Sequence, residues 1–509
     1  MALDLPKALY RYRDLLEGIE RTVGWFQQHD LRPGDRICVH MAPAIESVLC
    51  CLASLFYGTI LVPLNPRYTG EETRYFLDDA GARLFLCQTG GPGSRQEPGW
   101  KVLLRSDQGT LREAVQDGSL MAALQGSPPS RIAPRRNPDE VGALCYTSGT
   151  TGKPKGAMIT QANLSAMAGS LHEAWGWTDR DVLLHALPLF HVHGLFVALQ
   201  GALYAGARAV LLPSFEPEGV LERLSRGDCT LFMGVPTMYH RLLSASLLQG
   251  HSLSHVRLFV SGSAPLSPEV FHGFRSRVGH TILERYGMTE AGMVLSNPLE
   301  GERRPGSVGF PLPGVSVRIV DPETESDVTP GETGELLIRS GSVCKGYWKR
   351  PDASREAFTA GGWLRSGDLA RQDKDGYFYL VGRRKEIIIS GGFNVYPKEV
   401  ENVLERHPGV REAAVFGMPH SDLGEQVFAA VVPEGTEALT EEGLIRFTKE
   451  FLASYKCPRK FHFLDALPRN PMGKVVKEAL KTAFARPEQR GSQEAKGKRE
   501  KGKGERRKD

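Results

Sequence analysis

Residues 47–64, SVLCCLASLFYGTILVPL, form an apolar run without a single charge. A run of that length crosses a bilayer if it is one helix. Gly58-Thr59 interrupts it, and glycine is the usual residue at a helix C-terminus. The run therefore reads as a buried helix followed by a buried strand, ILVPL. No second candidate span accompanies it, so no membrane crossing is expected.

The same alternation extends on both sides. Residues 14–29 read as a helix, RICVHMA as a strand, residues 71–80 as a helix and ARLFLC as a strand. Apolar strands separated by helices predict an α/β architecture with mainly parallel sheets. Residues 90–137 are polar and rich in Gly, Pro, Ser and Arg, which predicts irregular surface. Strands and helices resume from Val141 to about Arg318. From Val315 to Leu380 short alternating segments (VSVRIV, GELLIRS, GYFYLV) predict a small antiparallel, barrel-like sheet region. A second unit follows, with a helix over 397–406, strands EAAVFGM and VFAAVVP, and a helix over 440–452. The expectation is a large N-terminal domain of stacked α/β sheets over 1–384, a small mobile α+β domain over 385–486, and a disordered basic tail over 487–509.

A chain of 509 residues exceeds what one core supports, in keeping with that division. Net charge is +4, yet residues 490–509 hold nine basic and four acidic side chains. The body is close to neutral and gives no electrostatic footprint for nucleic acid. The eight cysteines form no CxxC and fit neither a zinc site nor a disulfide framework. Small apolar-embedded thiols suit a reducing cytoplasm. The N-terminus lacks an uncharged apolar stretch, so a secretory signal is not expected.

The densest chemical signal is YTSGTTGKPKG, residues 146–156, after the apolar strand VGALC. It contains four Ser/Thr hydroxyls, three glycines and two lysines. Glycines let backbone N–H groups approach an anion, hydroxyls donate to phosphate oxygens, and lysine adds charge. The spacing is not that of a Walker A loop.

This segment resembles the phosphate loop of the adenylate-forming superfamily, which includes acyl-CoA synthetases and peptide-synthetase adenylation domains. Further segments resemble the family's other motifs in its order: LPLFHVHG (187–194), SGSAPL (261–266), ERYGMTE (284–290), GWLRSGDLA (362–370), GRRKEIIISGGFNVYPKEVE (382–401) and LPRNPMGKV (467–475). The resemblance covers about residues 10–485. It implies a two-step reaction: a carboxylate attacks the α-phosphate of ATP to give an acyl-adenylate, then a thiol, usually that of coenzyme A, displaces AMP.

Roles are implied residue by residue. Thr147, Ser148, Gly149, Thr150, Thr151 and Gly152, with Lys153 and Lys155, should cradle the phosphates. Glu290 and Thr151 should hold Mg²⁺. Ser263, Ala264, Pro265, Glu284, Tyr286, Gly287, Met288 and Thr289 should surround the nucleotide, with Tyr286 against adenine. Asp368 and Arg383 should meet the ribose. Lys474 should reach the α-phosphate during adenylation. Lys385 matches the family's hinge, and Ser390, Gly391 and Gly392 the loop passed by the pantetheine arm.

The acid itself is addressed by Arg285. A buried guanidinium facing an alkyl chain is costly, so it predicts a second anionic group on the substrate. Glu284 or Glu302 would be the alternative partners. His191 and Arg241 are further candidates for the acyl pocket. These strings are most similar to malonyl-CoA synthetases, which implies malonate or methylmalonate. A medium- or long-chain fatty-acyl-CoA ligase and a carrier-protein loading enzyme are the competing readings.

Overall fold

The computed structural model describes residues 1–485, apart from 6–7, 42, 90–98, 106–110, 114–119, 131–136, 148–152, 246–251, 392, 421, 436–438 and 470–473. Ser148, Gly149, Thr150, Thr151 and Gly152 of the phosphate loop, Gly392 and the basic tail lie outside the described residues. Internal contacts divide the chain into two units: Met1–Ser366 with Ala370–Leu380, and Gly367–Leu369 with the chain from Val381 on.

The first unit holds two large sheets. Parallel strands need covering on both faces, so their sequences run apolar without alternation. Ile60–Leu64 is buried at every position. It lies parallel to Arg36–His40, with Cys38 opposite Val62. The helix Ile45–Tyr57 precedes it and ends at Gly58, whose φ of 94° provides the left-handed cap. The apolar run is thus a helix and a strand. Among the described residues no helix is long and apolar enough to cross a membrane.

This seven-stranded sheet is ordered 111–113, 99–105, 84–89, 36–40, 60–64, 141–147, 155–160. Its first two strands correct the expectation of irregular surface over 90–137. Gly99–Arg105 pairs antiparallel with Leu84–Thr89, with Leu104 opposite Leu84, and Val102 is fully buried. A helix follows at Leu120–Gly126. The apolar alternation of this stretch was diluted by its polar flanks.

The nine-stranded sheet is ordered 310–311, 292–296, 283–288, 258–261, 231–234, 182–185, 208–211, 3–5, 8–10. Leu283–Met288 runs parallel to Leu258–Ser261 and turns back antiparallel along Gly292–Ser296. A further four-stranded sheet is ordered 315–320, 334–340, 364–372 and 378–383. One large apolar cluster, from Leu3 through Trp175 and Phe196 to Cys344, draws residues from both large sheets. None of the eight cysteines forms a disulfide, and seven are buried.

The second unit is a five-stranded sheet ordered 393–395, 388–390, 424–433, 410–420, with 460–463 parallel to 424–433. Helices Pro397–Leu404 and Glu441–Phe451 pack on it through Val400, Leu404 and Leu444. Helix Lys477–Ala485 inserts Leu480 beside Ala414 and Phe416.

Candidate active site

Successive residues of a strand face opposite sides, and the strand Leu283–Met288 uses this at its centre. Glu284 turns one way and accepts a hydrogen bond from the Leu266 backbone N–H at 2.9 Å. Arg285 turns the other way and is 3% exposed. Its Nε and Nη2 have no hydrogen-bond partner among the described residues. Glu302 instead pairs with Arg304 at 3.0 Å. Neither carboxylate neutralises Arg285, and burial without a counter-charge pulls its pKa down to about 9.

Two features lie near this guanidinium. Gly262 lies against it, and a Cβ there would fall 2.4 Å from Cζ. His193 is also buried, with Nδ1 3.2 Å from Ser263 Oγ and no partner for Nε2 among the described residues. Burial, then the Arg285 charge, holds the His193 pKa well below the usual histidine range, so the ring is neutral. Ser263 has a φ of 73°, a strained conformation for a residue with a side chain. It begins the exposed turn that continues through Ala264 and Pro265.

His193 opens a π-helix, His193–Leu199, a form that concentrates at functional sites. Gly194 permits it, since a Cβ there would meet the Pro188 carbonyl at 2.1 Å. His185 braces the turn: its Nε2 donates to the Gly194 carbonyl at 2.8 Å and its Nδ1 accepts from Leu187 at 3.1 Å. His191 is half-buried, packs on Phe190, and lines a small cleft with Cys145, Tyr146 and Thr289.

Glu290 sits in the hairpin loop after Met288 and is 8% exposed. Its Oε1 accepts from Thr147 Oγ at 3.1 Å and from the Tyr347 hydroxyl at 3.0 Å. Lys155, opposite Thr147 in the strand register, places Nζ 5.4 Å over the Tyr347 ring. Lys153 lies over Tyr75, whose hydroxyl donates to the Pro154 carbonyl at 2.6 Å. Tyr146 anchors the start of the loop through Asp79 at 2.8 Å. A buried carboxylate amid hydroxyls is a hard-oxygen donor set that suits Mg²⁺.

Tyr286 packs in the apolar cluster with Val294, Leu295 and Leu336. A bulge follows it at Gly287, where a Cβ would meet the Gly292 carbonyl at 2.4 Å. Met288 and Thr289 are half-buried beside it. Arg241 does not join this group. It is exposed on the helix Pro236–Ser244, while Tyr239, two positions earlier, is buried and bonds the Val260 carbonyl at 2.7 Å. Positions two apart on a helix point to different sides, so the helix cannot bury both.

In the second unit, Asp368 is buried and lies 3.3 Å from Arg383 Nε. Lys385 is exposed in a 3₁₀ turn, Arg384–Glu386. Ser390 is buried and Gly391 has a φ of 59°. Lys474 is exposed, next to the bridge that pairs Arg469 with Val475.

Sequence reasoning missed Tyr347, His193 and Gly262. His193 was visible as the second histidine of LFHVHG, and Tyr347 stood in GYWKRP without a chemical cue.

Stacked α/β sheets, a buried carboxylate bonded by Thr147 and Tyr347, and a small α+β unit define a nucleotide-handling enzyme of two units. The chain belongs to the AMP-binding enzyme family: residues 6–348 match the AMP-binding enzyme domain and residues 399–474 the AMP-binding enzyme C-terminal domain. It is 40% identical to human mitochondrial malonate–CoA ligase over 492 residues, covering 89% of this chain and 83% of that protein. Among solved structures it is similar to ATP-bound MatB from Rhodopseudomonas palustris, with a TM-score of 0.86 and 37% identity over 95% of both chains. It is also similar to the o-succinylbenzoate coenzyme A synthetase of Bacillus subtilis with ATP and magnesium, with a TM-score of 0.82 and 30% identity over 94% of this chain and 96% of that one.

Proposed function

We propose that this protein is an AMP-forming acid–thiol ligase that activates malonate, or its methyl-branched analogue, and transfers it to coenzyme A. The observation that carries the choice of acid is Arg285: buried, charged, and without a partner for Nε and Nη2 among the described residues. A carboxylate at the far end of a short acid supplies that partner, whereas an alkyl chain would leave the charge desolvated. The similarity to malonate–CoA ligases supports the same reading.

In the first half-reaction a carboxylate oxygen of the acid attacks the α-phosphorus of ATP. An O–P bond forms, the bond to the bridging oxygen breaks, and pyrophosphate leaves. The carboxylate is already a nucleophile, so the protein's task is positioning and charge neutralisation. Thr147, with the loop 148–152, Lys153 and Lys155, holds the phosphates. Glu290 and Thr151 would hold Mg²⁺, which would supply neutralisation of phosphate charge. Tyr286 and the turn Ser263-Ala264-Pro265 flank the adenine, Asp368 and Arg383 meet the ribose, and Lys474 serves the α-phosphate. In the second half-reaction the thiol sulfur of coenzyme A attacks the acyl carbon, the C–S bond forms, the acyl C–O bond to the phosphate breaks, AMP leaves and the thiol proton is released to solvent. Ser390, Gly391 and Gly392 serve that step, with Lys385 as the hinge between the two.

The test is product analysis with malonate, ATP, Mg²⁺ and coenzyme A. Equal amounts of malonyl-CoA, AMP and pyrophosphate are expected; ADP and phosphate, or no thioester, would refute the assignment.

A further inference from the structure

Lys477 stands three residues after Lys474 and opens the last helix of the second unit. Its side chain is 18% exposed, and its Nζ lies 2.7 Å from Glu401 Oε1 and 3.1 Å from Glu386 Oε2. These carboxylates belong to different elements. Glu401 is in the helix Pro397–Leu404, is itself buried, and accepts from the Val415 backbone N–H at 3.0 Å. Glu386 ends the 3₁₀ turn that contains Lys385. One ammonium therefore ties the lysine-bearing segment to the sheet-packed helix and to the hinge turn. Burial lowers the Lys477 pKa, but Glu401 and Glu386 outweigh it and hold the value above the usual lysine range, so the ammonium stays charged.

Among the described residues Arg469 also holds the segment, with an ion pair to Glu412 at 2.7 Å and a backbone bridge to Val475. Val476 N–H donates to the Pro468 carbonyl at 2.8 Å, and the apolar anchor, Leu480, comes a turn later. An exposed lysine that must meet a reacting phosphate needs its backbone fixed, because a misplacement of about 1 Å can cost 10²-fold in rate.

We propose that Lys477 is a positioning residue for adenylation: its double ion pair with Glu386 and Glu401 registers the Lys474 segment to the hinge turn. This rests on the role given to Lys474 above. It implies that the two half-reactions respond differently when the link is cut, since a tie that only stabilised the fold would affect both.

The test uses the full chain and measures the half-reactions separately: pyrophosphate release with malonate and ATP, and thioester formation from supplied acyl-adenylate and coenzyme A. Lys477→Met is expected to lower kcat for adenylation by about 10- to 100-fold, with KM for ATP unchanged and the second half-reaction retained. Lys477→Arg should restore most of the loss. Glu386→Gln, which leaves the Glu401 pair in place, should show a smaller loss in the same half-reaction, and it decides the matter if Lys477→Met fails to fold. Equal losses in both half-reactions, or no loss in either, overturn the proposal. Lys474→Ala is run beside them: if it retains adenylation, the assignment of Lys474 itself fails, independently of Lys477.

Discussion

Gly262 and Arg285 touch so closely that no side chain fits between them, a Cβ at 262 falling 2.4 Å from the guanidinium carbon. The guanidinium is the end of a flexible side chain, so a methyl group would displace it rather than break the strand. Gly262→Ala should therefore lower kcat/KM for malonate by about 10- to 100-fold and affect a monocarboxylic acid less. Steady-state pyrophosphate release with malonate and butyrate checks this. An unchanged malonate-to-butyrate ratio would separate Gly262 from acid selection.

Arg285 is a buried charge with no carboxylate paired to it among the described residues, and such a charge destabilises the fold that holds it. Arg285→Met keeps the volume and removes the charge, so stability should be unchanged or rise by about 1–4 kcal/mol. Malonate, by supplying the missing partner, should raise the melting temperature of the wild-type protein and not of Arg285→Met. Thermal unfolding with and without malonate reads both. A large loss of stability in Arg285→Met would show that the guanidinium is structural.

The buried histidines set the response to acid. His185 is lowered from the ordinary 6.5 to about 4, chiefly by burial, with its hydrogen bond to the Gly194 carbonyl opposing. His40 is lowered to about 4 by burial as well, and His193 lies well below the ordinary value. Below 6.5 the unfolded chain takes up protons that the native rings refuse. Their contribution to stability is thus present above 6.5 and lost as pH falls toward 4, with a slope of up to about 1.4 kcal/mol per pH unit for each ring. Denaturant unfolding between pH 6.5 and 5 should show falling stability, and His185→Gln should fall less steeply. A flat profile, or equal slopes, would contradict neutral burial.

Tyr347 and Thr147 share one oxygen of Glu290. Tyr347→Phe removes one donor and leaves the carboxylate less firmly oriented. The expected result is a loss of about 1 kcal/mol in adenylation, roughly fivefold, with a higher Mg²⁺ concentration needed for half-maximal rate. Magnesium titration of pyrophosphate release measures it. A variant with lower rate but unchanged Mg²⁺ dependence would place Tyr347 outside the metal's surroundings.

What the sequence revealed and concealed follows from the range of the interactions. The helix–strand split at Gly58, the parallel sheets and the Arg285 argument rest on local pattern or on one residue's desolvation cost, and both are legible in a string. Tyr347 acts on Glu290 from 57 residues away, and Gly262 acts on Arg285 by having no side chain. Neither leaves a local trace. Arg241 is a candidate for the pocket in the string VPTMYHRLL, yet it is exposed, because the face its helix buries is set by Tyr239 finding the Val260 carbonyl. The strands Gly99–Arg105 and Leu111–Glu113 are hidden by polar neighbours, although they extend a sheet whose central strands are plain.

The central claim is that Arg285 selects the acid, and it is tested most directly by kcat/KM for malonate and for butyrate in wild-type and Arg285→Met protein. The account predicts that wild type strongly prefers malonate. The substitution should lower the malonate value by about 2–4 kcal/mol, or about 30- to 1,000-fold, and leave butyrate equal or improved. A wild-type preference for butyrate, or an equal fall for both acids, would contradict it.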